Sequence, residues 1–172
     1  AAILLSNIFN DFIFSGKELN LINIARLLPM VFAAAYFATS KKRDWTLIVP
    51  LVAIAAFLLH PIGQQVWYFA LFWTIPIIAK LISPTRLFVK SLGATFTAHA
   101  VGGALWIYVF QTTPEYWIAL IPIVIFERFL FAIGISASYI VFNTLLSRVE
   151  TMLPQGIISI DKKYDLVKMF AS

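Results

Sequence analysis

Cysteine is absent from this 172-residue chain, and charge is scarce. The first absence excludes disulfides, thiolate metal sites and cysteine nucleophiles, and leaves the redox compartment open. Charged residues make up 12% of the chain against 61% hydrophobic, and the mean hydropathy is +0.89. A soluble domain of this length needs more polar surface than that. Motifs for chemistry are missing too. There is no G-x-x-x-x-G-K-[ST], so the chain does not drive itself with ATP. There is no G-x-S-x-G, no pair of intramembrane aspartates and nothing like a carbonyl selectivity filter. His60, His99 and Glu127 have no metal-ligand spacing, so no metal site is assigned. The sequence carries no recognisable catalytic motif and implies no cofactor.

What is present is a series of apolar segments of near-spanning length. They predict an all-α fold: a polytopic integral membrane helical bundle of five or six transmembrane helices, with no room for a second globular domain. The expected spans are residues 21–39, 46–59, 66–82 and 91–111, then a long run, 116–147. Residues 1–14 are apolar but short, and interrupted by Asn7, Asn10 and Asp11. They read as the end of a span or a re-entrant piece. Residues 1–150 form the expected transmembrane domain. Residues 151–172 form a cytoplasmic tail, with Ile160, Tyr164 and Val167 at helical spacing as on an amphipathic helix. A short solvated tail is the alternative. No stretch has the layout of a cleavable signal.

Charge sets the topology. The net charge is +5. In an apolar chain this points to cytoplasmic loops and membrane lipid rather than to nucleic acid. With the KKRD turn placed inside, ten of the thirteen Lys and Arg residues fall on the cytoplasmic side. They are Lys41, Lys42, Arg43, Lys80, Arg86, Lys90, Arg148, Lys162, Lys163 and Lys168. The bias requires that residues 116–147 cross once, with the C-terminus in the cytoplasm and the protein in the cell membrane. Thirty-two helical residues would run roughly 48 Å against a hydrocarbon core of ~30 Å. Pro122 offers one resolution, as the first turn of the crossing helix, with Tyr116 and Trp117 at the outer interface. A steeply tilted, kinked helix is the other.

Glu127 and Arg128 sit inside that run, where a charge faces a partner, a cavity or a pathway. Adjacent helical positions diverge by about 100°, so the two need not pair. Arg128 shares a face with Ala132, Ser136, Tyr139 and Asn143. A helix starting at Pro122 places the pair ~8 Å below its outer end. Each charge is read as a ligand, ion or proton site, or else as satisfied by a neighbouring helix or by snorkelling. His99 shares a helix face with Thr95, Gly103 and Trp106, and Gly102 and Gly103 permit close approach. It is a candidate for ligand or proton binding, or a histidine bonded to a neighbour. Trp67 and Tyr68 near the HPIGQQ turn belong to the interfacial aromatic belt or wall an outward pocket, with Gln64 and Gln65 beside them. Arg26 and Asp11 are candidate counter-ions. Ala34 and Ala38 form an A-x-x-x-A pair suited to close helix contact, inside the bundle or with another subunit.

This layout resembles the substrate-binding integral subunits of energy-coupling-factor vitamin transporters. The resemblance lies in the small six-helix architecture, the cytoplasmic ends and the alanine pair. It implies an outward-facing pocket lined by Trp67, Tyr68, His99, Trp106 and Glu127. It also implies docking through Ala34 and Ala38 on a transmembrane coupling subunit that works with an ATPase. In that family the alanine motif lies on the first helix. Here it lies on the second if residues 1–14 span.

The expected function is uptake of a small molecule from the outer side with partner subunits. Glu127, Arg128 or His99 would hold its polar groups against aromatic walls. Two other classes stand beside it: a structural or assembly subunit of a larger complex, and an intramembrane enzyme using His99 and Glu127 as acid and base. An ion or proton pathway through Glu127 is a further variant.

Overall fold

In a computed structural model the fold is all-α among the described residues, which are 21–149 and 161–164, with side chains from Arg26 onward. The segment 1–14 with its Asp11 lies outside them, as does most of the expected tail 151–172. Six α-helices are described: α1 (Leu21–Ala38), α2 (Ile48–Leu59), α3 (Pro61–Gln65), α4 (Ile75–Ile82), α5 (Leu87–Val109) and α6 (Pro114–Val149). Two of these, α5 and α6, are long and apolar enough to cross a membrane by length and composition. The other apolar stretches, Arg26–Ala38, Trp45–Leu59 and Trp67–Ile82, are shorter. They coincide in position with the first three expected spans. The chain divides into two compact units, residues 1–132 and 133–172.

The third apolar stretch departs from a plain helix. Residues Trp67–Thr74 form a 3₁₀ helix that continues into α4. Runs of 3₁₀ longer than three or four residues are uncommon. The pattern of burial explains this one. Gly63, Val66 and Phe69 are buried, and then Ala70, Trp73, Pro76 and Ala79. From Val66 to Trp73 both sets keep the three-residue period of a 3₁₀ helix, and Pro76 and Ala79 extend the second into the start of α4. Eight residues at ~2.0 Å and eight at ~1.5 Å give the stretch about 28 Å of length. Pro76 falls in the first turn of α4, where its missing N–H leaves no bond unmade. It marks the change of helix type rather than the kink the sequence suggests.

The core of the first unit is aromatic. Phe57 of α2 meets Trp73 and Trp117 edge-on, each with ring centroids 4.9 Å apart. Phe69 meets Trp117 in the same way. Phe57, Phe69 and Trp73 are fully buried and Trp117 nearly so. Glycines on α5 admit two of the bulky neighbours. A Cβ at Gly103 would stand 2.6 Å from Trp73 Cζ2, and one at Gly93 2.2 Å from the Tyr36 hydroxyl oxygen. Helix α1 therefore lies close against α5.

Trp117 corrects an expectation. It does not lie along an outer interface, because α6 begins at Pro114, not Pro122. Thr113 Oγ1 accepts the Tyr116 N–H at 3.4 Å, Pro114 takes the first helical position and Glu115 adds acid to the first turn. These are ordinary helix-start signals. The first turn aims Trp117 at the core, and its indole N–H donates to Thr112 Oγ1 at 3.1 Å. Pro122 is carried inside the helix.

One end of the bundle is tied by a polar cluster. Lys80 of α4 is 2% exposed, although the sequence reading counts it among the cytoplasmic cations. Its ammonium lies 2.7 Å from Asp44 Oδ2 and donates to Asp44 Oδ1 at 3.0 Å, and to the hydroxyls of Thr39 and Thr46. It also sits 4.4 Å above the Tyr36 ring, whose hydroxyl donates to Pro76 O at 2.7 Å. Asp44 in turn caps the turn Trp45–Leu47 by accepting the Thr46 N–H at 2.9 Å. Lys90 Nζ donates to Ser40 Oγ. The end of α1, the basic turn, the end of α4 and the start of α5 thus converge. At the opposite end His60 meets Tyr108, with ring centroids 5.1 Å apart.

In the second unit the C-terminal part of α6 holds the segment at Asp161. Asn143 Nδ2 donates to Asp161 O at 2.9 Å, and Asp161 N donates back to Asn143 Oδ1 at 3.1 Å. Tyr139 and Tyr164 meet edge-on, and residues Lys162–Tyr164 form one 3₁₀ turn.

Candidate functional site

A cleft of about 430 Å³ opens between α1, α5 and the N-terminal part of α6. His99, Gly102, Gly103 and Trp106 line it from α5, and Tyr116, Trp117, Leu120, Glu127 and Arg128 from α6. Pro29 closes it from α1. Four of the six residues expected to contact a ligand are thereby brought together: His99, Trp106, Glu127 and Arg128. Trp67 and Tyr68 do not line it. They meet edge-on, with ring centroids 6.1 Å apart, and Trp67 is 57% exposed.

Helix register puts these residues on one wall. On α6, Trp117, Val124 and Ala132 are buried, and Arg128 shares their row at spacings of seven, four and four. Arg128 is therefore turned inward, with 17% of its side chain exposed, while Glu127 is 46% exposed. The two do pair: Arg128 Nη2 lies 3.0 Å from Glu127 Oε2. The guanidinium carbon also sits 4.9 Å from the centre of the Phe131 ring. Thr95 Oγ1 approaches Arg128 O at 3.4 Å, which fixes α5 and α6 at the same height.

Depth changes with the helix start. From Pro114 the pair lies roughly 20 Å along α6, not the ~8 Å a start at Pro122 gives. His99 lies roughly 18 Å from the first residue of α5 and 15 Å from its last. The cleft is a mid-bundle feature, deeper than the outer-half position the sequence suggests.

Its polar groups are incompletely paired. His99 Nε2, Arg128 Nε and Trp73 Nε1 are buried and have no hydrogen-bond partner among the described residues. The His99 imidazole is ringed by Phe69, Trp73 and Phe96 at 5.7, 6.2 and 6.4 Å. Among the described residues no hydrogen bond joins His99 to Glu127, and no three His, Asp or Glu side chains gather as metal ligands. Arg26, a candidate counter-ion, lines an adjoining cleft of about 230 Å³ that shares Pro29, Gly102 and Trp106. Trp106 stands between the two, its ring tilted against Phe110 with centroids 4.1 Å apart.

Sequence reasoning missed Pro29 as a wall, Trp117 as a lining residue and the whole Lys80 cluster. The helix-start signal at Thr113, Pro114 and Glu115 was available and would have turned Trp117 inward. Nothing in the sequence marks Lys80, whose partners lie 34 to 41 positions away. Ala34 and Ala38 are exposed, on one face of α1 with the exposed Met30. No family model matches the chain, and no curated protein or solved structure matches it either.

Proposed function

We propose that the chain is a multi-pass cell-membrane protein, C-terminus cytoplasmic, that binds a small solute in the α1–α5–α6 cleft and passes it inward with partner subunits. The observation that carries this reading is the cleft itself. It collects a histidine, an arginine and a glutamate at mid-height in an otherwise apolar bundle, with His99 Nε2 and Arg128 Nε lacking partners among the described residues. Buried polar atoms are nearly always paired, and exceptions mark strain or function. A solute carrying acceptors would satisfy both, with Trp106 and Tyr116 against its apolar faces.

The membrane setting is supported by where apolar surface is left. Only 11% of the most apolar stretch of α6 is buried. Ile123, Ile125, Phe126, Phe129, Leu130 and Phe131 are exposed. An unbroken face of this kind suits lipid, not water. The 3₁₀ stretch lengthens Trp67–Ile82 to about 28 Å, close to a hydrocarbon thickness of ~30 Å. The convergence of Lys41, Lys42, Arg43 and Lys90 at one end fits a cytoplasmic face.

The energy-coupling-factor arrangement adds the partners. Ala34 and Ala38, with the larger Met30 one turn away, form an exposed apolar face on α1 for a transmembrane coupling subunit with its ATPase. The test is a thermal-shift screen of the purified full chain against small solutes, paired with co-purification of membrane subunits. A solute-dependent shift that Arg128→Met removes is expected. A chain that binds neither solute nor partner refutes the reading, and stable co-assembly without any solute shift favours a structural subunit.

A further inference from the structure

A second cavity, separate from the solute cleft in its walls and chemistry, runs along the outside of α2. It has a volume of about 480 Å³ and is almost wholly apolar. Leu28 and Phe32 of α1 form one wall, Val101, Ala104 and Leu105 of α5 another, and Val49, Val52 and Ala56 of α2 the third. Trp45 stands at one end and is 55% exposed. At the other end the Tyr108 hydroxyl donates to Ala56 O at 2.7 Å, joining two walls. From Trp45 to Ala56 the groove follows α2 for roughly 16 Å. That is about half of a ~30 Å hydrocarbon core, the depth of a single leaflet.

The charge at the open end is specific. The turn before Trp45 reads Lys41, Lys42, Arg43, Asp44. The three basic residues are exposed, while Asp44 is turned inward and held by Lys80. Lys90 reaches the same turn through Ser40. The only acid of the turn is thus neutralised inside the fold, and the turn presents three positive charges beside the mouth of an acyl-length groove. We propose that this groove binds one acyl chain of an anionic phospholipid, whose phosphate is held by Lys41, Lys42 and Arg43. The occupant follows from charge complementarity at one end and leaflet-length apolar walls along the rest. This site goes beyond the solute-binding reading and shares with it only the membrane setting.

The test uses the purified full chain in mixed micelles and the fluorescence of Trp45. Phosphatidylglycerol and phosphatidylcholine, each brominated on the acyl chain, are titrated in turn, and a Trp45→Phe variant identifies the signal due to that residue. Quenching of Trp45 by the anionic lipid at several-fold lower mole fraction than by the zwitterionic one is expected. K41Q, K42Q and R43Q should each reduce that preference, by at most about fivefold, the effect of one basic residue at an anionic surface. Ala56→Phe, which fills the groove from its far end, should reduce quenching by both lipids. Equal quenching by the two lipids overturns the headgroup assignment, as does a preference that survives the triple variant K41Q/K42Q/R43Q. If neither lipid quenches Trp45, the lipid assignment fails. The solute-dependent thermal shift, measured on the triple variant, is expected to persist, so failure here is distinguishable from failure of the solute site.

Discussion

Replacing Lys80 with methionine should be one of the most damaging single substitutions in the chain. Lys80 is 2% exposed, and each of its three ammonium protons has an acceptor among Asp44, Thr39 and Thr46. Methionine keeps the length of the side chain but leaves the Asp44 carboxylate facing an apolar neighbour. Removing one partner of a buried ion pair costs about 3–5 kcal/mol, mostly because the other charge is stranded. For a chain of this size 1 kcal/mol moves Tm by about 2–4 °C, so Lys80→Met should lower Tm by about 6–20 °C. Asp44→Asn strands the ammonium with two hydroxyls and the Tyr36 ring, and should cost less. The double variant should recover about 2–3 kcal/mol relative to the sum of the singles.

The pH dependence of this node has a definite sign. Burial pushes the Asp44 carboxyl up, but hydrogen bonds from Lys80, Thr46 and Thr39 together outweigh it and bring the pKa down to about 2. The Asp44 contribution is therefore complete above the ordinary carboxylate value near 3.8 and is lost as pH falls through about 2. Scanning fluorimetry of wild type and the three variants at neutral pH and between pH 2 and 4 checks both claims. A Lys80→Met variant as stable as wild type would refute the reasoning, as would additive single and double effects.

Other outcomes follow from single contacts. Gly103→Ala should destabilise by about 1–3 kcal/mol, because its Cβ meets the buried Trp73 ring at 2.6 Å. Gly102→Ala, with Pro29 Cγ at 3.7 Å, should be tolerated or gain up to about 1 kcal/mol of helix propensity; thermal unfolding of the pair decides. Phe57→Ala should cost about 3–5 kcal/mol by opening the centre of the aromatic core, read as a loss of Tm. Arg128→Met should weaken solute binding by about tenfold to a hundredfold, since hydrogen bonds to a charged group contribute about 1.5–3 kcal/mol. Glu127→Gln should move stability by no more than about 1 kcal/mol, because half-exposed pairs contribute little.

The parts of the fold that sequence reveals are those set by local pattern. Apolar runs located α1, α2, α5 and α6 to within a few residues and took the 3₁₀ stretch Trp67–Thr74 and α4 together as one span, and helical spacing put His99 with Trp106 on one face and Arg128 on the inward row of α6. Long-range packing was not legible. Whether Trp67 or Trp73 faces inward depends on a period of three that appears only once the 3₁₀ geometry is known. Lys80 looks like any basic residue near a helix end until Thr39, Asp44 and Thr46 fold back over it. The start of α6 is a different case. Its cap residues are plainly present at Thr113 to Glu115, but Pro122, six residues after Tyr116 in the apolar run, competes with them as a start signal. Helix propensity on both sides of Pro122 carries the helix through it.

The two polar clusters of the bundle differ in a way that separates support from function. Around Lys80 each ammonium proton has an acceptor, Asp44 Oδ2 takes no hydrogen bond but faces the ammonium at 2.7 Å, and the contacts join elements that are far apart in sequence. A network closed in this way by hydrogen bonds and an ion pair fixes geometry and leaves little to a ligand. Around Arg128 the accounting does not close. Glu127 answers one guanidinium nitrogen, Nη2, while Arg128 Nε and His99 Nε2 stay without partners among the described residues, beside a cleft walled by aromatic rings. An apolar side chain at either position would remove the unpaired atom at little cost to packing. Their presence in an otherwise apolar bundle is therefore better explained by a molecule that completes their hydrogen bonds than by stability. Substituting Lys80 should change how well the chain folds, and substituting Arg128 should change what it binds.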